Sequence, residues 1–91
     1  MSSFDVRFEE KTTGDSVLEI VSPARRSTLE NVRSVLFDLR IQIVRVESSV
    51  RDTGLVERFF VSELDSSPVS RRRAAAIRGT VRRTLRAERA A

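Results

Sequence analysis

Four residue types that carry much of protein chemistry are missing from this 91-residue chain: cysteine, histidine, tryptophan and tyrosine. Without cysteine there is no disulfide and no thiol nucleophile, and without cysteine and histidine the usual zinc sites are excluded. The absence of histidine also removes the side chain that most often transfers protons near neutral pH. A carboxylate-only metal site or a reaction assisted by serine and arginine stays open, but a chain this short has little scaffold to enclose a pocket. We therefore expect a protein that is not an enzyme and that holds no metal and no cofactor.

Glycine is scarce and long apolar runs are lacking. The three glycines, Gly14, Gly54 and Gly79, lie too far apart for a phosphate-binding loop or a dinucleotide fingerprint. Apolar stretches such as residues 41–44 are far shorter than the roughly 20 residues that span a membrane. The N-terminus has no basic stretch followed by an apolar run, so it does not resemble a signal peptide. These features predict a cytoplasmic protein with no membrane segment.

Lysine is nearly absent, because 16 of the 17 basic residues are arginine. The arginines are unevenly spread: residues 1–70 carry a net charge of −3 and residues 71–91 a net charge of +7. Such a segment is most simply the solvent-facing side of an amphipathic helix, and less readily a surface for nucleic acid or an acidic partner. For the second interpretation the candidate residues are Arg71, Arg72, Arg78, Arg82 and Arg83.

The hydrophobic pattern predicts strands and one helix in the first half of the chain. Apolar and charged residues alternate over 4–9, which is typical of a strand, and residues 16–22 indicate a buried second strand that ends at Pro23. Apolar residues at helical spacing predict a helix over 28–39. Its start is marked by Ser27 or Thr28, with Glu30 at capping-box spacing from Ser27.

A β-hairpin and a second helix are predicted in the other half. Two β-rich runs, 41–51 and 55–63, flank an Asp52-Thr53-Gly54 turn. On the first run we expect one face to carry Ile41, Ile43 and Val50, and the other Val44 and Val46. Three acids near the hairpin are expected in solvent: Glu47, Asp52 and Glu57. A last helix follows the cap residue Ser70, with an apolar face of Ala74, Ile77, Val81 and Leu85.

The element order ββαββα predicts a single α+β domain over residues 1–91. The economical arrangement is a ferredoxin-like two-layer sandwich, in which two helices cover one face of a four-stranded, mostly antiparallel sheet. The extra first strand would take the sheet position otherwise filled by a strand after the second helix. We expect the core to span about 4–86 and residues 87–91 to form a frayed tail.

Adjacent Phe59 and Phe60 must point to opposite faces of the sheet, so one of them reaches the face without helices. An aromatic ring there could stack on an RNA base or contact a second chain. However, the strands carry no basic excess and no RNP1-like string. Nucleic-acid binding through the sheet is therefore not expected.

Several segments together resemble an ACT domain. The string EIVSPARRSTL (residues 19–29) is similar to the first strand and loop of that family, which usually ends in D-R-P-G-L-L. VLFDLRIQIV (35–44) is similar to A-L-A-E-L-G-L-N-I-V, and LVERFFVS (55–62) to V-V-D-V-F-Y-V-T. With its extra first strand, the chain resembles the C-terminal ACT repeats of the bacterial PII-uridylylating nitrogen sensor and the plant ACT-repeat proteins.

The resemblance implies a regulatory module of nitrogen or amino-acid metabolism that forms a homodimer and binds an amino acid or another small carboxylate. Carried over to this chain, the ligand site would consist of Arg25, Arg26, Ser27 and Thr28 from the loop, with Gln42 and Ile43 from the neighbouring strand. The loop departs from the family where Ala24, Arg26 and Ser27 replace Asp, Pro and Gly, and Gln42 replaces Asn. Ser27 adds a side chain where glycine lets a ligand approach the backbone.

Three functions remain open from the sequence. The first is a dimeric ACT-like regulator that binds an amino acid. The second is a degenerate ACT domain that serves only protein–protein association, because its loop is altered. The third, and least favoured, is a binder of an acidic partner or nucleic acid through the arginine-rich last helix.

Overall fold

The computed structural model describes residues 4–11 and 14–90, with the backbone alone for residues 88–90. Six elements occur in the predicted order: β1 (Asp5–Glu10), β2 (Ser16–Ser22), α1 (Leu29–Asp38), β3 (Ile41–Arg51), β4 (Gly54–Glu63) and α2 (Arg71–Ala90). The order ββαββα is thus confirmed. The backbone of α2 is helical up to Ala90, in keeping with its many alanine and arginine residues, and the fraying expected for residues 87–91 stays a prediction.

The four strands form one open sheet in the order β1-β2-β4-β3, and every neighbouring pair is antiparallel. The first strand lies at one edge beside β2, and β3 forms the opposite edge. This α+β arrangement is compatible with a ferredoxin-like fold, with β1 at the edge expected for it.

One face of the sheet packs against both helices, and the core lies between the two layers. Leu18 and Phe59 are directly opposite each other on the central strands and both are fully buried. They belong to one cluster with residues of α1 and α2. The helices contribute to it Val32, Val35, Leu36, Ile77, Val81 and Leu85. The apolar face predicted for the last helix is therefore confirmed, with Ala74 at its margin.

A β-bulge between Ile43 and Arg45 changes the side to which β3 residues point. Because of the extra residue, Val46 pairs with the core residue Phe59 and lies on the helix side of the sheet. The prediction that Val46 faces away from Ile41 and Ile43 was therefore wrong. Beyond the bulge most of β3 extends past the cover of the helices, and Val50 is 65% exposed.

The β3–β4 hairpin is held against the end of β2 by a glycine. Gly54 has a φ of 131°, a backbone conformation that side-chain-bearing residues rarely adopt. A Cβ atom at this position would also overlap the backbone of Ser22 and Pro23. The close approach brings β4 alongside the loop of residues 23–28, which carries four of the predicted ligand residues.

Candidate functional site

The loop of residues 23–28 folds back on the end of β2. The Arg25 N–H donates to the Ser22 carbonyl (3.0 Å), and the Arg26 N–H donates to Ser22 Oγ (3.2 Å). Arg25 has a φ of 58°, in the left-handed region, which tightens the turn. The side chains of Arg25 and Arg26 lie in solvent, whereas Thr28 is buried at the start of α1.

A carboxylate from the neighbouring strand occupies the N-terminus of α1. Glu57, on β4, is only 4% exposed and accepts three hydrogen bonds from the loop. The Thr28 N–H and Thr28 Oγ1 donate to Glu57 Oε1 at 2.7 and 2.9 Å. Ser27 Oγ donates to Glu57 Oε2 at 2.8 Å. The prediction that Glu57 lies in solvent was therefore wrong, because it points from β4 toward the helix layer.

Glu57 also replaces the capping box expected at α1. The Thr28 side chain makes no capping bond to the helix, since its hydroxyl is turned toward Glu57. Ser27 Oγ accepts from the Leu29 N–H at 3.2 Å. The carboxylate that accepts hydrogen bonds at the N-terminus of α1 is thus Glu57, whereas Glu30 lies exposed in the first turn of the helix.

The resulting cradle has the chemistry that a ligand carboxylate would require. A backbone N–H at a helix N-terminus and two hydroxyls converge on two carboxylate oxygens, as in a typical anion site. These donors are already engaged by Glu57. Among the described residues no buried side-chain nitrogen or oxygen is left without a hydrogen-bond partner. The loop is therefore satisfied from within the chain.

The other two predicted ligand residues lie at the opposite end of the sheet. Gln42 pairs with Ser62 and Ile43 pairs with Val61, whereas the loop follows Ser22, which pairs with Leu55. The separation along β4 is six residues or more, about 20 Å. Within one chain the structure does not bring Gln42 and Ile43 together with residues 25–28.

Gln42 lines a shallow groove on the face of the sheet without helices. The groove has a volume of about 340 Å³, and its walls include Phe60, Arg45 and Pro68. The Arg45 guanidinium lies 3.9 Å from the centroid of the Phe60 ring. Because this cation–π contact covers the ring, Phe60 does not present a free stacking surface for RNA.

Charges alternate in sign across that open face. The strand register places Arg7 opposite Glu19, Glu19 opposite Arg58, and Arg58 opposite Glu47. Arg58 Nε donates to Glu19 Oε2 at 2.8 Å, and this hydrogen bond raises the pKa of Arg58. We call Arg7, Glu19, Arg58 and Glu47 the charge row. It ends at the outer edge of β3 with the carboxylate of Glu47, 3.3 Å from Nε of Arg45.

Edge strand β3 exposes apolar side chains as well as backbone. From Gln42 to Arg51 every residue except Ile43 is exposed, including Val44 (64%), Val46 and Val50. No strand pairs with its outer side among the described residues. Strands of this kind are templates for pairing with another chain.

All five arginines proposed as a partner surface are exposed on α2, namely Arg71, Arg72, Arg78, Arg82 and Arg83. Arg73 differs from them. Its guanidinium binds both carboxylate oxygens of Glu63 at 3.1 Å and donates to the Leu39 carbonyl at 2.6 Å. The Glu63 carboxylate raises the pKa of Arg73. Arg73 therefore joins β4, α1 and α2, and is not part of a free surface.

The loop between β4 and α2 is held by hydrogen bonds to the carboxylate of Asp65, which lies within the loop. Ser67 donates to Asp65 Oδ1 from its backbone N–H (3.0 Å) and from its hydroxyl, and these bonds lower the pKa of the Asp65 carboxyl. The Val69 N–H then donates to the buried Ser16 Oγ at 3.4 Å. These contacts position Ser70, whose Oγ accepts from the Arg73 N–H and caps α2 as predicted.

Together these observations define a small α+β domain with three features: a loop whose hydrogen bonds are made within the chain, an unpaired sheet edge, and a basic helix. No protein-family model, curated protein or solved structure matches the chain. In the described part of the chain no three Asp or Glu side chains are grouped as a metal site would require. None of the described helices is long and apolar enough to cross a membrane.

Proposed function

We propose that this chain is a non-catalytic, ACT-like association module that pairs with a second copy of itself along β3. The observation that carries the proposal is the edge strand β3, which is eleven residues long and exposed over nearly its whole length. The sequence motifs shared with ACT domains and the sheet order β1-β2-β4-β3 support the family assignment.

The two edges of the sheet differ in their protection. β1 has only six residues, whereas β3 has eleven. Each edge carries one ion pair between residues two apart, Asp5–Arg7 on β1 and Arg45–Glu47 on β3. Arg82 of α2 also donates to the Val6 carbonyl at 3.4 Å. β3 has a bulge but no proline, and it exposes valines on its surface. An edge of this length and composition favours pairing over solvation.

The charges on β3 complement themselves around a twofold axis. In a symmetric antiparallel pair, an axis at Val46, the middle residue of β3, places each Arg45 opposite the partner's Glu47. The charge row, which ends at Glu47, then continues with a positive charge from the second copy. An axis at Arg45 or at Glu47 would instead oppose like charges. The register centred on Val46 is therefore the one we propose.

Binding of an amino acid at residues 25–28 is the less supported alternative. The donors that would hold a ligand carboxylate are bonded to Glu57, and Gln42 and Ile43 lie at the other end of the sheet. A ligand would have to displace a buried carboxylate that three hydrogen bonds hold in place. These observations favour association without a ligand at this loop.

Sedimentation analysis of charge variants tests the proposed pairing. The wild-type chain should dimerise reversibly at micromolar concentration. Arg45→Glu places two pairs of like charges across the twofold axis and should weaken dimerisation by about tenfold, equivalent to about 1.4 kcal/mol. The double variant Arg45→Glu/Glu47→Arg restores opposite charges and should recover most of the loss.

The matched control is Arg51→Glu, which makes the same charge change at the end of the same exposed strand, five residues from the proposed axis. It should leave the dimerisation constant within about twofold of wild type. A monomer at a concentration of about 100 µM would refute self-association. A dimer that is equally sensitive to Arg45→Glu and Arg51→Glu would refute the register.

A further inference from the structure

The helix α2 carries an arginine face that the proposed dimer does not use. Over residues 71–87 it exposes six arginines: Arg71, Arg72, Arg78, Arg82, Arg83 and Arg86. Among the side chains that the structure describes, no carboxylate forms an ion pair with any of the six. We propose that this arginine face binds the phosphate backbone of a nucleic-acid duplex, independently of sequence.

Two features of the arginine face lower the stability of α2, and no contact within the chain compensates for them among the described residues. Arg71 and Arg72 stand in the first turn, at the positive end of the helix dipole, where acidic residues are favoured and none is present. Gly79 lies in the interior of the helix, where alanine would be more stable. Local rules are broken without compensation mainly at functional positions. An anion bound along this face would supply the missing negative charge.

The dimensions of the face suit a duplex backbone. From Arg71 to Arg86 the helix rises about 22 Å. A duplex presents about one phosphate charge per 1.7 Å of its axis, so this length offers more phosphates than there are arginines. Ala75 and Gly79 follow Arg71 at intervals of four residues on the same side of the helix. These small residues allow the backbone of a ligand to approach between the longer guanidinium side chains.

The composition of the face favours a nucleic acid over an acidic protein. Stable protein interfaces are centred on buried aromatic or apolar anchors. The large exposed apolar residues among the described ones, such as Phe37, Val44 and Val50, belong to other elements. Over residues 71–87, the fully exposed side chains of α2 are all alanine or arginine. The absence of aromatic residues from α2 also excludes base stacking. Of the usual contacts with a nucleic acid, those to phosphate groups remain, and such contacts do not distinguish one base sequence from another.

Binding to a labelled 20-base-pair DNA duplex, followed by fluorescence anisotropy, tests the proposal. Six phosphate contacts predict a slope of about −5 for log K against log salt, which is about a 10³-fold loss of affinity between 50 and 200 mM KCl. The variant Arg78→Gln/Arg86→Gln removes two contacts, so the slope should become shallower by about 2. Glutamine is a good helix former, and circular dichroism verifies that α2 is retained.

The matched control is Arg33→Gln/Arg51→Gln, which removes the same net charge from exposed positions on α1 and β3. This variant should keep the wild-type slope. No binding at 50 mM KCl, or an equal effect of the two double variants, would overturn the proposal. Displacement of the duplex by poly-L-glutamate at an equal concentration of charge would point to an acidic protein instead, and would likewise overturn it. Arg45 and Glu47 are unchanged in all these variants, and Arg51 lies at the end of β3, where a charge change should leave dimerisation within about twofold. Failure of phosphate binding can therefore be told apart from failure of the proposed dimer.

Discussion

Glu57 shows how one residue decides what a loop can bind. Burying a carboxylate is costly unless hydrogen bonds replace its hydration, and Glu57 has three of them, all from Ser27 and Thr28. The arrangement satisfies the first turn of α1 and the loop at the same time. It also fills the position at which the ACT resemblance would place a ligand. The same donors cannot serve both purposes at once.

Removing this carboxylate should destabilise the fold and open a site. Glu57→Ala leaves the Thr28 N–H and two hydroxyls without an acceptor, which should lower the free energy of unfolding by about 2–3 kcal/mol. The atoms removed correspond to acetate, so acetate at about 100 mM should recover part of the loss in thermal melts. Urea titration with and without acetate measures both effects.

The control is Glu30→Ala at the residue that the capping-box pattern singled out. Glu30 is exposed, and its loss should cost only a few tenths of a kcal/mol. Equal losses for the two variants would mean that Glu57 does not hold the loop. Stabilisation of the wild-type chain by an amino acid at millimolar concentration would show that ligands displace Glu57.

The sequence offered one signal for Glu57 that was missed. Leu55, Glu57, Phe59 and Val61 alternate along β4, so the same pattern that buries Phe59 also turns Glu57 inward. Charge favoured the opposite interpretation, because unpaired acids rarely lie inside a protein. Its partners, Ser27 and Thr28, are about thirty positions away. Local spacing cannot show such a pairing before the topology is known.

At the scale of elements, a glycine in the interior of α2 lowers the stability of the helix and can be replaced. Gly79 has a helical backbone, and a Cβ atom there would meet only the flexible end of Arg83, at 3.4 Å. Gly79→Ala should therefore raise the free energy of unfolding by about 0.5–1 kcal/mol, since alanine restricts the unfolded chain and favours the helix. Denaturant unfolding measures the gain.

Gly54→Ala provides the contrast, because the added methyl group would press on the backbone of Ser22 and Pro23 at a positive φ. That variant should be destabilised by more than about 1 kcal/mol. If Gly79→Ala were also destabilising, α2 would need this glycine for packing within the chain, and Gly79 would no longer support the approach of a ligand to the arginine face.

A helix or strand could be predicted from the sequence where its apolar residues follow a single regular spacing along its whole length. The 3.6-residue pattern located the buried face of α2, alternation located β1, and a run of β-branched and aliphatic residues located β2. β3 could not be assigned in full, because the bulge after Ile43 breaks the two-residue period and moves Val46 to the other face. A bulge depends on the partner strand, so its position is not encoded in β3 alone.

At the scale of the whole molecule, the two edges of the sheet differ in the helix that lies beside them, and the amino-acid pattern did not reveal this difference. α2 packs over the side of β1, and its Arg82 reaches the Val6 carbonyl, while α1 packs beside β3. In the proposed dimer the two β3 strands meet in the middle, and the arginine faces lie at the two outer ends. The proposed association and the proposed phosphate binding would therefore use opposite edges of the sheet, and neither would block the other.

The proposed dimer also makes stability depend on concentration. A domain of 91 residues buries a limited core, so pairing of β3 should add to its stability through mass action. Raising the chain concentration from about 5 to about 500 µM should increase Tm by roughly 5 °C, given the small unfolding entropy of a domain of this size. Arg45→Glu should reduce this increase, whereas Arg51→Glu should retain it. A wild-type Tm that is the same at both concentrations would mean that the chain folds and melts as a monomer, and that the exposed valines of β3 serve something other than a second copy.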